Sequence, residues 1–111
     1  MLEGENLWVR ARAAKILYRV NPKLALEELK SLANDVSKEA QVSSMWALAE
    51  LATPEAIDLL APLAYSPARE IQQGAVRSLL QIQSRDSLPA EVRTKLSARL
   101  TEVRSRTGLI F

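Results

Sequence analysis

The stretch AQVSSMWALAEL, Ala40–Leu51, decides the fold, because its apolar pattern recurs 31 residues upstream and 31 residues downstream. The upstream copy is VRARAAKILYRV, Val9–Val20, and the downstream copy is IQQGAVRSLLQI, Ile71–Ile82. In register, Val9/Ala40/Ile71, Ala13/Ser44/Ala75, Ala14/Met45/Val76, Leu17/Leu48/Leu79 and Val20/Leu51/Ile82 are apolar or small in every row. A second self-similar segment lies between the copies: Ala25/Ala56, Leu26/Ile57, Leu29/Leu60, Leu32/Leu63 and Ala33/Ala64 match at the same offset. A fixed period carrying two helical patterns per unit is the mark of stacked α-hairpins.

Working outward from these copies, the punctuation gives the helices. Helix one is predicted over Glu5–Val20, with Glu5 or Asn6 as acceptor for its first amides. Asn21-Pro22 ends it and opens helix two, Pro22–Ala33. Ser37 caps helix three, Lys38–Ala52, and Thr53-Pro54-Glu55 repeats the cap-proline-acid device for helix four, Pro54–Tyr65. Pro62 falls inside that helix and should kink it, since it removes a ladder bond and crowds the carbonyl of Asp58. Helix five is predicted over Pro67–Gln83 and helix six from Pro89 to about Arg106, with Gly108 as its stop.

At about 100° per residue, Val9, Ala13, Ile16, Leu17 and Val20 share one stripe, as do their equivalents in helices three and five. Ala25, Leu29, Leu32 and Ala33, then Ala56, Leu60, Leu63 and Ala64, supply the facing stripes, and Val92, Leu96, Leu100 and Val103 line helix six. Burying a Leu or Ile gives roughly 1.5–3 kcal/mol, while ordering each residue's backbone costs roughly 1–2 kcal/mol. One hairpin alone cannot come out ahead. Stacking through Ala14, Met45 and Val76 is therefore required. The fold class is all-α, an α-solenoid of about six helices with a 31-residue period and a C-terminal capping helix. One domain spans 1–111, divided into a partial repeat (5–21), two repeats (22–52 and 53–83), a cap (89–107) and an apolar tail (108–111).

Composition narrows the chemistry. The chain has no cysteine and no histidine, so it offers no disulfide frame, thiolate metal site, His-based triad or His general base. No glycine-rich phosphate loop is present. The carboxylate pairs Glu27/Glu28 and Glu55/Asp58 fall on first turns or outer faces, where solvation and the helix dipole account for them. The expectation is a non-enzymatic protein without cofactor or metal. Met1–Gly4 does not have the order of a secretory signal, and no apolar run reaches the roughly 18 residues of a membrane span. A soluble cytoplasmic protein follows as the expectation. The net charge of +2 divides as +3 over residues 1–23, −4 over 24–88 and +3 over 89–111. Such ends are either solvated helix faces or recruiters of an acidic partner.

The run Val9-Arg10-Ala11-Arg12-Ala13-Ala14-Lys15-Ile16-Leu17, with Pro54-Glu55-Ala56-Ile57-Asp58-Leu59-Leu60 ahead of another such helix, resembles HEAT repeats. The short period is similar to that of the bilin-lyase-type HEAT-like subfamily. The resemblance covers about residues 5–83 and departs from the family at several points. The Val-Arg pair becomes Ala40-Gln41 and Ile71-Gln72, and the glycine of the second helix becomes Tyr18, Ala49 and Leu80. No Thr-Pro-Leu-His run supports ankyrin repeats, and Trp46 lacks the Gly and Tyr spacing of tetratricopeptide repeats.

That resemblance implies that the second helix of each unit lines a concave face. On it would fall Trp8, Arg12, Lys15, Tyr18 and Arg19, then Val42, Trp46 and Glu50, then Gln73, Arg77 and Leu80, with Lys15, Trp46 and Arg77 in one row. Trp, Tyr and Arg are the usual anchors of protein interfaces. The leading expectation is a scaffold or adaptor docking a partner helix or peptide in that groove. Alternatively, Trp8 and Tyr18 cover an open end and Trp46 packs on a neighbouring helix. Taken literally, the subfamily resemblance implies a cyanobacterial accessory protein of the phycobilisome. Nucleic-acid binding is a third reading, disfavoured because Glu39, Glu50 and Glu70 share the face with Arg12, Lys15, Arg19 and Arg77. The first unit has no first helix of its own, which predicts self-association through an uncapped N-terminal end around Ala14. The tail Leu109-Ile110-Phe111 either folds back on helix six or offers a free apolar end.

Overall fold

The computed structural model describes residues 3–111, with side chains from Leu7 onward. The expected cap at Glu5 or Asn6 lies outside the described side chains. Six α-helices follow in order: α1 (Glu3–Leu17), α2 (Pro22–Ala33), α3 (Lys38–Leu51), α4 (Pro54–Leu60), α5 (Arg69–Gln83) and α6 (Ala90–Thr107). A 3₁₀ segment, Ala61–Tyr65, continues α4. No strand occurs among the described residues.

The caps are those the sequence dictates. Asn21 Oδ1 accepts from the Leu24 amide at 3.2 Å, Ser37 Oγ from Ala40 at 3.4 Å and Thr53 Oγ1 from Ala56 at 3.1 Å. Pro22 and Pro54 sit in first turns, where a missing N–H costs nothing. Gly108 closes α6 at φ 72°, in the left-handed region, and its amide donates to the Arg104 carbonyl. Ala52 takes the same conformation at φ 51° without being glycine, which costs roughly 1–2 kcal/mol. Its buried position, just ahead of Thr53-Pro54, holds it there.

Three of the boundaries that differ from the sequence expectation have a visible cause. Helix one is expected through Val20, but α1 ends at Leu17. Amides of Arg19 and Val20 then bond the carbonyls three residues back, tightening the last turn ahead of Pro22. Pro62 does more than kink helix four. With no N–H to offer the Asp58 carbonyl, it ends α4 at Leu60, and the backbone continues as 3₁₀ with Ala61, Leu63 and Ala64 still buried. Helix five begins at Arg69 rather than Pro67, because Ser66 Oγ instead accepts from the Ala68 amide at 3.1 Å in a local turn.

The helices form a two-layer α-solenoid. α1, α3 and α5 stack side by side; α2 packs on α1 and α3, and α4 with its 3₁₀ extension packs on α3 and α5. α6 closes the far end against α4, the 3₁₀ segment and α5. The slab measures 41 × 31 × 20 Å. Every expected core residue of α2, α4, the 3₁₀ segment and α6 is buried, as are Ala40, Ser44 and Leu48 of α3 and Ile71, Ala75, Leu79 and Ile82 of α5. Close approach along the stack depends on small residues. Ser43 is fully buried between helices, with its hydroxyl donating back to the Ala40 carbonyl at 2.8 Å. A Cβ added at Gly74 would lie 2.8 Å from Met45 Cε.

α1 breaks the pattern. Val9 and Ile16 are 64% exposed and Val20 83%, although the repeat register assigns them to the core. Ala14, expected to be bare, is instead buried, with Ala11 beside it. Around the helix, Leu7, Ala11 and Ala14 lie opposite Val9, Ala13 and Ile16, so α1 carries apolar residues on two opposed sides. Only one of those sides meets α3. The other would face a first helix of unit one, and no described element covers it.

Candidate functional site

Along the edge of the stack, α1 and α3 bring four of the expected surface residues into contact. Trp8 meets Trp46 edge-on, with ring centroids 6.1 Å apart and planes at 65°. Lys15 Nζ lies 5.2 Å from the Trp46 centroid and donates to Glu50 Oε1 at 3.1 Å. The ammonium therefore rests between a ring face and a carboxylate, each of which favours its charge. Trp46 is half-buried and packs on the core, whereas Trp8 is 41% exposed. Trp46 therefore packs over the α1–α3 seam, as the packing alternative expects, and remains partly exposed.

At the α5 end the expected residues Gln73, Arg77 and Leu80 come together differently. With Val76 and the tail residues Leu109, Ile110 and Phe111 they line a mostly apolar cleft of about 300 Å³. The tail turns back at Gly108. Arg104 Nε donates to the Phe111 carbonyl at 3.1 Å, and its guanidinium lies 4.7 Å from the Phe111 ring. Leu109 and Phe111 pack on the core while Ile110 is 99% exposed. A short apolar segment of this chain therefore borders α5 on the side the sequence assigns to partners.

The remaining expected residues separate. Val42 is exposed on α3. Tyr18 is half-buried in the turn after α1, so it is not on a helical face. Arg12 and Arg19 are exposed and make no ion pair among the described residues. By helical register Arg12 borders Val9 and Ile16, on the flank away from α3.

Two features escaped the sequence reading. Arg85, in the loop after α5, donates through Nη2 to the carbonyls of Ala49 at 3.0 Å and Glu50 at 3.2 Å, tying that loop to the C-terminal end of α3. The only available signal was a basic residue near free helix carbonyls. The second is an ionic cluster. Asp58 of α4 accepts from Lys95 at 2.7 Å and Arg99 at 2.9 Å, both on α6, and Tyr65 donates to Glu102 at 3.4 Å. Burial alone would raise the Asp58 pKa, but the hydrogen bonds and charges of Lys95 and Arg99 outweigh it and hold the carboxyl below its ordinary value. Burial, reinforced by the Glu102 charge, pushes the Tyr65 phenol up against the opposing effect of Arg106. This cluster joins the cap to the stack.

Among the described residues no group of acidic side chains is arranged to hold a metal ion, and no helix is long and apolar enough to cross a membrane. Comparison with curated proteins and with solved structures finds no match in either. The family model for HEAT repeats matches twice, over residues 1–80 and 26–104, with the two matches overlapping across the central hairpins. HEAT repeats commonly serve as protein-interaction scaffolds. The 31-residue period, the paired helical layers and these matches together place the chain in the HEAT-repeat family.

Proposed function

We propose that this chain is a non-enzymatic interaction module whose α1–α3–α5 edge docks an apolar or aromatic peptide segment, or a helix, of a partner protein. The observation that carries the reading is the cleft beside α5, where the chain's own Leu109–Phe111 lies alongside Arg77 and Leu80. A surface that accommodates one apolar segment, with Arg77 exposed at its lip, has the chemistry to accommodate another. Trp8, Trp46 and Lys15 continue the same edge toward α1. Nucleic acid is a weaker candidate occupant, because Glu50 neutralises Lys15 and Arg85 on this side.

The test is paired affinity capture from native lysate, followed by titration of the recovered partner. Baits are the natural chain, Trp46→Ala/Arg77→Ala, and Arg77→Glu alone, whose exposed position leaves folding intact. The partner's affinity should fall by at least about tenfold in both variants, as expected when an anchor residue is truncated or reversed in charge. A folded variant with full affinity would remove the proposal.

A further inference from the structure

The side of α1 turned away from α3 is a second, independent surface. Val9 and Ile16 stand out from it, Val20 is exposed in the turn that follows, and Leu24 of α2 is 49% exposed. Between α1 and α2 runs a cleft of about 420 Å³ lined by Arg10, Ala13, Ala14, Leu17, Leu24 and Glu28. Across it Arg10 Nε donates to Glu28 Oε1 at 2.7 Å. From Val9 through Ala13 to Ile16 the ridge is roughly 10 Å long, two turns of helix, and Val20 lies in the turn beyond it. That matches the i, i+4, i+7 spacing by which amphipathic helices lie in grooves.

The surface differs from the interior stacking faces in one informative position. At the 31-residue offset, Ser43 and Gly74 are the small residues that allow the preceding helix to come close, and Arg12 takes their place on α1. A further repeat stacked at the interior spacing would meet that long side chain. Charge then selects among other occupants. Residues 7–24 hold Arg10, Arg12, Lys15, Arg19 and Lys23 and no acidic residue. Among the described side chains Arg10 is matched by Glu28 and Lys15 by Glu50, while Arg12, Arg19 and Lys23 make no ion pair, and Lys30 and Glu27 are exposed on α2. Two copies of such a face would bring like charges together. An acidic helix would not.

The geometry points to a docking site on the outer face of α1 and α2 for an acidic amphipathic helix of a partner protein. Its apolar side would cover the Val9–Ile16 ridge and the adjoining cleft between Leu17 and Leu24, and its carboxylates would reach Arg12 and Arg19. This site is separate from the α5 cleft and does not rest on it.

The probe is a fluorescein-labelled synthetic helix of about 18 residues, long enough to be helical in water when stapled, with leucines at i, i+4 and i+7 flanked by glutamates. A second peptide has lysines for those glutamates. Anisotropy titrations should show binding of the acidic peptide alone, weakened about tenfold or more by Arg12→Glu/Arg19→Glu and by added salt. Ile16→Asp, at an exposed position, should abolish binding, while Trp46→Ala/Arg77→Ala should leave it unchanged. Absence of binding, equal binding of both peptides, or indifference to Arg12→Glu/Arg19→Glu overturns the proposal. Binding lost in Trp46→Ala/Arg77→Ala but kept in Ile16→Asp would reassign the peptide to the α5 edge. A concentration-dependent dimer mass by light scattering that Ile16→Asp abolishes would assign the face to a second copy instead.

Discussion

At one end of the stack, α5 is covered by α6 and the 3₁₀ segment, and Ile71, Leu79 and Ile82 are fully buried. At the other end, the register-equivalent Val9 of α1 and Val20 in the turn after it stand mostly in water. The two helices carry the same repeat pattern and differ in what lies across from it. Apolar periodicity says which side of a helix is able to be buried; only the neighbour decides whether it is. Covering a Val or Ile side chain contributes roughly 1.5–3 kcal/mol, so the closed end draws stability from its pattern. At the α1 end the same driving force is left unused among the described residues.

The most direct way to break this comparison is truncation at equivalent positions. Ile71→Ala removes methylenes from a fully buried site and should cost about 2–5 kcal/mol. Val9→Ala should cost less than about 0.5 kcal/mol, as surface substitutions do. Urea titrations of both variants check this. Equal losses would mean that the ridge on α1 is covered in solution even without a partner.

A second contrast concerns the tight approach along the stack. Gly74→Leu forces side-chain volume against Met45 Cε and should cost about 1–3 kcal/mol by overpacking. Arg12→Leu at the equivalent position should stay within about 0.5 kcal/mol of the natural chain. Gly74→Ala falls between, because the nearest atom is the flexible end of a methionine and the helix gains from losing its glycine. Thermal melts that rank the three substitutions in any other order would mean that helix spacing is not set by these small residues.

Much of the fold was legible in the sequence, since caps and periodicity are local properties. Asn21, Ser37 and Thr53 cap as their positions dictate, and the stripes of α2, α4 and α6 are buried residue for residue. What failed was non-local. Val9, Ile16 and Val20 read as core because a stripe does not reveal whether a neighbour lies across from it, and among the described residues none does. The candidate site was legible only in pieces. Lys15, Trp46 and Glu50 share one seam, but Arg12 falls on another flank, because adjacent positions on a helix point about 100° apart and a broad outward arc spans two surfaces. Arg85 and the Asp58 cluster depend on how a loop and a cap fold back, which no repeat register encodes.

The smallest effect tests what holds the closed end shut. Asp58 links α4 to Lys95 and Arg99 of α6, and all three side chains are 36–37% exposed, so solvent screens much of their attraction. Asp58→Asn should therefore cost no more than about 1 kcal/mol at neutral pH. The pH dependence gives the sign. The folded-state pKa of Asp58 lies below the unfolded value of about 3.9. Its contribution is thus present above that unfolded value and is lost as pH falls through the folded one. The stability gap between Asp58→Asn and the natural chain should be constant from neutral pH to about pH 5 and close below about pH 4. It should also shrink in 1 M salt, where the screening length is about 3 Å. Glu28→Gln, which removes only the exposed Arg10 pair at the open end, should cost less than about 0.5 kcal/mol. If Glu28→Gln costs as much as Asp58→Asn, ion pairing does not distinguish the two ends, and the cap is held by the burial of Val92, Leu96, Leu100 and Val103 alone.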